Sequence, residues 1–408
     1  MHRLEGIERA YPWGSRTAIP RLKGDQAPAP HPIAELWFGA HPASPSTVDG
    51  EPLSELIAQQ PSEWLGERIA DRYQNRLPYL VKILAADEPL SLQAHPSKQQ
   101  AEDGWERENA LGIPVGGAQR NYKDDNHKPE VLVALSEFEA MAGFRPLAQT
   151  IQLLRQLNCA AMERYLHMID DGQALAEKEE ENRLRALFTT WITIPTAARA
   201  ELIQNLIGAI DALDETQVEP WIAHTVHNVR AINERYPNDI GVLGALLLNH
   251  VRLEPGEAIY LRAGSLHAYL HGVGVEVMAN SDNVLRGGLT TKHVDVPELV
   301  KVLSFAPLVD PFVTTQSTTQ VGTTITRYPV PIEDFTLSCA HIDAASPPLD
   351  LQLSGPTILV ATAGELTVTD AAGEQLTLRP TEAVWMDERD RAVSVATSES
   401  AHLFWAFA

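Results

Sequence analysis

Apolar and polar positions alternate in short runs toward both ends of the chain and recur at helical spacing in its middle. Between residues 1 and 146, Leu77–Leu84 (LPYLVKIL) and Pro129–Leu135 (PEVLVAL) are brief apolar runs bounded by Pro, Gly and polar residues. Such runs predict strands separated by turns. His41-Pro42, Pro45 and the GIPVGG stretch within Asn109–Asn121 mark turns and a loop. From about 147 to 249 the period changes. Ile151, Leu154 and Leu157 open a helical pattern, Ile203, Ile207 and Ile210 share a face, and so do Val226, Val229 and Ile232. Thr196, which follows Pro195, reads as a helix cap, and the Glu177–Glu181 run as a solvated helix face. Pro237-Asn238-Asp239 restarts the chain before GVLGALLL. The stretch predicts four to six helices.

Strand signals return at 250, where HVRLEPGEAIYL reads as strand, Pro-Gly turn, strand. Beyond about 308, TTITRYPV, FTLSCAHI, TILVATAG, ELTVTD, EQLTLRP and AVSVAT follow one another every ten residues or so, the rhythm of a β sandwich or barrel. The pattern predicts a mainly β protein with a helical insertion. One β domain comprises 1–146 plus 250–307, a helical domain 147–249, and a second β domain 308–408.

Composition narrows the class. The chain has 408 residues, so two or three domains are expected at roughly 150 residues each. Lys and Arg number 32 against 54 Asp and Glu, a net charge of −22. That balance opposes binding to nucleic acid or to anionic lipid, since both need a basic face. Cys159 and Cys339 are the only cysteines. Two thiols cannot build a disulfide framework or a Cys-based zinc site, and they suit a reducing compartment. The first residues lack the apolar core of a signal peptide, and no stretch has the ~18 uncharged apolar residues of a membrane span. The expectation is a soluble cytoplasmic protein, most simply a monomer, acting on a small molecule. An anionic ligand would need a local cationic pocket working against the net charge.

Candidate chemistry lies in four segments. In Ser91-Leu92-Gln93-Ala94-His95-Pro96, strand alternation turns Ser91, Gln93 and His95 to one face. An amide oxygen and an imidazole side by side can bind a divalent ion. In Asn126-His127-Lys128-Pro129-Glu130, Pro129 keeps the chain extended, and Glu130 is a further ligand candidate. Gly256–His271, GEAIYLRAGSLHAYLH, resembles the second motif of the cupin superfamily, in which a hairpin carries a metal-binding histidine, here His267. Arg262 and His271 stand where that motif usually has Pro and Asn. Gln93, His95, Glu130 and His267 together form an N/O set suited to zinc in an open catalytic site, and also to other first-row divalent ions. The last β domain has His341 and His402 in separate strands and no comparable pair within one strand, so it is expected to lack metal ligands. The fourth segment, Glu276–Lys292, is dense in polar groups. Gly287-Gly288 would let the backbone approach a ligand, and Arg286 and Lys292 are candidates for a phosphate or a developing oxyanion.

These residues identify a family. YPWG at 11–14, AELWFGAHP at 34–42, QAHP at 93–96, NYKD at 121–124, NHKPE at 126–130, HAY at 267–269 and SDNVLRGGLT at 281–290 resemble, in order over about residues 1–305, type I mannose-6-phosphate isomerase. The resemblance implies a cupin-type jelly-roll barrel, an α-helical domain and a second cupin-like β domain. It implies zinc, one ion per chain, on Gln93, His95, Glu130 and His267, with Arg286 as the catalytic arginine. The implied reaction interconverts mannose 6-phosphate and fructose 6-phosphate through an enediolate.

A base must move the carbon-bound proton, and the residues leave Glu276, Asp282 and His127 open for that role. Lys82, within an apolar strand, needs a partner or an anion. With Lys128, Lys292 and Arg286 it could form the cationic pocket, with Ser91 as a hydrogen-bond donor and Trp13 and Tyr269 as walls. Two other readings remain at this level: a related metal-dependent isomerase of another sugar, and a non-catalytic sugar-binding cupin.

Overall fold

A computed structural model describes the chain except residues 171, 173–175 and 345. The long strand His267–Ala279 is the hub of a ten-stranded antiparallel array. Its second half pairs with Tyr79–Ala86 on one edge and Glu130–Ala134 on the other. Its first half pairs with Leu92–Ala94 and with Phe138–Phe144. The strand turns between the two halves at Gly272, whose φ is +125° and where a Cβ would lie 2.7 Å from the Glu137 carbonyl oxygen, so only glycine fits. Two sheets thus share one strand and fold over a common interior of Leu84, Leu132, Phe138, Ala140, Val251, Leu253, Ile259, Leu261 and Tyr269.

Alternation then assigns the faces. Val81, Ile83, Val131, Val133, Val275 and Val277 pack outward, in one core with Ile358, Val360, Trp385 and Phe404 of the last β region. Lys82 and Glu276 sit opposite one another in register and turn inward.

Strands beyond residue 308 form two sheets around Ile342, Leu359, Leu366, Val368, Val384, Val395 and Leu403, a sandwich. The first strand of the chain, His2–Leu4, adds to this sandwich by pairing with Ala383–Met386, so the N-terminal residues do not stay with the first β region. Residues 147–249 carry, among the described residues, six α-helices and two 3₁₀ turns, centred on Leu187, Phe188, Trp191, Ile203, Leu206 and Val226. No helix of the described residues is long and apolar enough to cross a membrane.

Local expectations fail in three places. The first 146 residues contain helices as well as strands: Ala18–Lys23, Leu53–Gln59, Pro61–Trp64, Glu67–Arg72 and Lys98–Ala110. The last had a legible start, because Ser97 and Gln100 form a reciprocal capping box. Thr196 is the first helical residue of Thr196–Asp211 rather than its cap; Pro195 holds the cap position, and no side-chain cap bond forms. Finally, Leu248–Leu253 and Ala258–Leu261 do not pair with each other. The first pairs with Phe138–Phe144 and the second with Glu130–Ala134, so His267 is not delivered by a hairpin of these strands.

Candidate metal centre and its cavity

Two short strands and the start of the long hub strand bring the ligand candidates together. Leu92–Ala94 is flanked on one edge by His267 and on the other by Leu285–Gly288, so Gln93 stands in register between His267 and Arg286. Glu130 begins its strand directly after Pro129 and pairs with Met278. His95 follows the end of Leu92–Ala94.

The Nδ1 atoms of both histidines donate to backbone carbonyls, His95 to Asn283 at 2.6 Å and His267 to Ser265 at 2.9 Å. That fixes the tautomer and leaves each Nε2 with a lone pair. His95 Nε2 lies 3.4 Å from Glu130 Oε1, and His267 Nε2 lies 3.3 Å from Glu130 Oε2. His95, His267 and Glu130 are 1%, 1% and 2% exposed, and both Nε2 atoms and Glu130 Oε2 lack any hydrogen-bond partner among the described residues.

Three buried acceptors therefore converge with no proton between them, an arrangement that repels itself unless a cation joins it. Two ligands held at roughly 2.0–2.1 Å with a tetrahedral angle stand about 3.3 Å apart, the spacing seen here. The donor set fits a divalent ion of zinc type, with the half-buried Gln93 beside it. Burial pushes the His95 imidazole down. Burial also opposes the charge of Glu130, but His95 and Lys128 outweigh it and hold the carboxyl well below the usual range. Lys128 Nζ is 3.2 Å from Glu130 Oε1.

A cavity of about 740 Å³ opens beside the cluster. Its floor is a buried ionic chain. Lys82 Nζ donates to Glu276 Oε2 at 2.7 Å and lies 3.6 Å from Glu35 Oε1, while Tyr269 Oη donates to the other Glu276 oxygen at 2.7 Å. Trp37 Nε1 donates to Glu35 Oε2 at 2.8 Å. Burial alone would lower the Lys82 pKa, but Glu276, Glu35 and Glu130 raise it above its ordinary value. Burial, reinforced by Glu276, pushes Tyr269 well up. Glu35 and Trp37 are site residues that motif and spacing alone do not single out. Their signal was a carboxylate in the otherwise apolar strand Glu35–Phe38, whose Trp37 pairs with Lys82.

Arg286 and Lys292, which line the same cavity, have no carboxylate partner among the described residues. Burial lowers the pKa of Arg286; burial and Arg286 lower that of Lys292. Lys123, within the NYKD stretch, lines the same cavity, and burial, Arg120 and Arg286 lower its pKa. Ser91 and Trp13 also line it, and Trp13 stacks on Tyr11 with ring centroids 5.6 Å apart.

The base candidates separate. Both oxygens of Glu276 are engaged. His127 turns away, its Nε2 3.0 Å from Asp334 Oδ1, into a neighbouring cavity of about 970 Å³. That second cavity is larger, but it contains none of the metal cluster; its Arg72, Arg76 and Lys98 are paired with Glu333, Asp125 and Glu102, and it shares Lys123 with the first cavity. Asp282 borders both cavities, and His41 Nε2 lies 3.3 Å from its Oδ1. Burial would raise the Asp282 pKa; the bond and charge of His41 bring it below the ordinary value. The close approach at Gly288 is to the chain itself. A Cβ on Gly288, whose φ is +143°, would meet the Gly241 backbone nitrogen at 2.6 Å, so this glycine admits a helix.

Residues 1–147 match the family profile of the phosphomannose isomerase type I catalytic domain. The chain is 39% identical over 400 residues to mannose-6-phosphate isomerase of Escherichia coli, covering 97% of each. A crystal structure of mannose 6-phosphate isomerase in its apo form from Salmonella typhimurium superposes with a TM-score of 0.87 at 35% identity, covering 100% of this chain and 98% of that one. Another, of mannose 6-phosphate isomerase bound with zinc and yttrium, gives 0.86 at 36% identity, covering 100% and 99%.

Proposed function

The chain belongs to the type I phosphomannose isomerases, enzymes named for mannose 6-phosphate, and on that premise we propose that it interconverts mannose 6-phosphate and fructose 6-phosphate using one zinc ion on Gln93, His95, Glu130 and His267. The observation that carries this reading is a conjunction. The cluster of buried acceptor atoms that demands a cation reaches, through Glu130 and Gln93, the same cavity as cations that lack an anion among the described residues. A bound zinc ion supplies Lewis-acid polarisation of the sugar carbonyl.

The residues of the chain do the rest. Lys292, Lys123 and Ser91 receive the phosphate dianion, and the mutual repulsion of the cations is relieved when it binds. Arg286, in register beside Gln93, faces the negative charge that develops on the enediolate and stabilises it by charge-assisted hydrogen bonds. Asp282 is the proton-transfer base we favour. It is ionised, solvent-accessible and at the cavity border, whereas Glu276 is locked by Lys82 and Tyr269. Glu276, Lys82 and Glu35 then form a fixed floor that holds Tyr269 and Trp37 against the bound sugar. Lys128 keeps Glu130 ionised for the metal.

The test is a coupled assay of mannose 6-phosphate against free mannose, on protein loaded with zinc and on protein stripped by a chelator. Turnover of the phosphorylated sugar alone, lost on stripping and restored by zinc, is the expected result. Full activity after verified metal removal would sink the metal assignment, and equal turnover of free mannose would sink the phosphate assignment.

A further inference from the structure

The last β region was expected to lack metal ligands because its histidines stand in different strands. The register brings them together. His341, in Thr336–Ile342, pairs directly with His402, in Ala401–Phe407. Side chains directly opposite on neighbouring strands share a face within reach of one another. Here His341 Nδ1 lies 2.5 Å from His402 Nε2, with ring centroids 4.5 Å apart. The other nitrogen of His341 is 3.2 Å from Asp343 Oδ1. A carboxylate accepts, so Nε2 of His341 carries the proton and its Nδ1 offers a lone pair toward His402. This is the arrangement in which a carboxylate orients a metal-ligating imidazole. Burial, and then His341, lower the pKa of His402, which keeps that ring available as a neutral ligand near neutral pH.

We propose that His341 and His402 form a surface site for one divalent transition-metal ion, of nickel or copper type, with Asp343 as the orienting residue of His341. Two nitrogens held at roughly 2.0–2.1 Å stand about 2.9 Å apart at the right angle of octahedral or square coordination, against about 3.3 Å at the tetrahedral angle of zinc. From 2.5 Å the first needs the smaller opening, and the His341 side chain, 46% exposed, is free to make it. Water completes the shell on the exposed face. The proton now shared between the rings moves to His402 Nδ1, so the neutral pair binds without net proton release. The ion would tie the C-terminal strand to its neighbour at a point more than sixty residues apart in sequence, and so stabilise the sandwich as any ligand of the folded state does.

The experiment uses the full, zinc-loaded enzyme, so that the buried centre is already filled. Nickel chloride is titrated by calorimetry in a non-chelating buffer, with the isomerase assay run alongside and zinc release followed by dye. Wild type should take up one equivalent of nickel without releasing zinc, and its melting temperature should rise. His341→Ala and His402→Gln should each weaken uptake at least about 10-fold while turnover stays unchanged, and Asp343→Asn should weaken it by about 10-fold. Unchanged turnover in the same sample shows that a variant is folded. Nickel uptake equal in wild type and the His341→Ala/His402→Gln double variant overturns the proposal, as does the absence of saturable uptake by wild type.

Discussion

Two pairs of histidines, each with one carboxylate, make opposite demands. In the buried cluster Glu130 lies between the rings, and the outward nitrogens are spent on the carbonyls of Asn283 and Ser265, so three acceptors are left facing each other. In the sandwich pair Asp343 lies behind His341, and the rings satisfy one another or water. An unmet buried polar atom costs about 1–3 kcal/mol, whereas an exposed one costs almost nothing. The first cluster is therefore unstable without a cation, and the second merely accepts one. A third pair separates burial from chemistry. His250 is partly buried beside His224, and its Nε2 meets the Ala245 carbonyl at 2.9 Å and its Nδ1 the Asn228 amide at 3.2 Å. With both nitrogens engaged by the protein it calls for no ion. Unmet buried lone pairs, rather than imidazoles in proximity, mark a metal centre.

The contrast can be broken most forcefully at Glu130. Glu130→Gln should abolish stoichiometric zinc and lower kcat/KM by about 10³-fold or more, read by metal analysis and the coupled assay, because the carboxylate is the only anionic member of the set. Retention of zinc by this variant would mean that the cluster is held together by something other than a cation. Arg286→Ala should lower kcat by about 10²–10³-fold with zinc content intact, the range for loss of one electrostatic stabiliser in a catalytic site.

Lys82→Met probes burial without metal. It leaves Glu276 and Glu35 buried without their cation, and urea unfolding should show a loss of about 3–5 kcal/mol. A loss below 1 kcal/mol would show that water reaches that floor. The His250 pair gives a pH signature. Burial lowers the His250 pKa to about 3, below its unfolded value of about 6.5. The folded state then resists protonation, so this contribution is complete above about pH 6.5 and is lost as the pH falls toward 3. His250→Asn should flatten the decline of stability across that window. The smallest effect belongs to the sandwich: His341→Ala should change stability by less than about 0.5 kcal/mol and turnover not at all, since an exposed pair carries little.

The chain order was enough to make several features legible. Alternation exposed the strands around Lys82 and Glu130, helical spacing exposed the middle region, and ordered motifs exposed the ligand candidates Gln93, His95, Glu130 and His267. Short helices such as Leu53–Gln59 escaped because fewer than two turns give too little period to read. Glu35 escaped for another reason. A carboxylate in an apolar strand is only an anomaly until its partner, 47 positions along the chain, is known to lie opposite.

The residue types and their local spacing thus determined which chemistry this protein can hold: imidazoles, carboxylates and cations in extended segments, with no thiol framework. Only the tertiary structure decided which groups meet. Strand register depends on pairings between segments distant in sequence. That register set His267 beside Gln93, locked Glu276 to Lys82, turned His127 toward Asp334, and joined His341 to His402. Side-chain alternation is a local property and can be read from one strand. Register is a property of two strands, set by the packing of the whole sheet, and no single segment contains it.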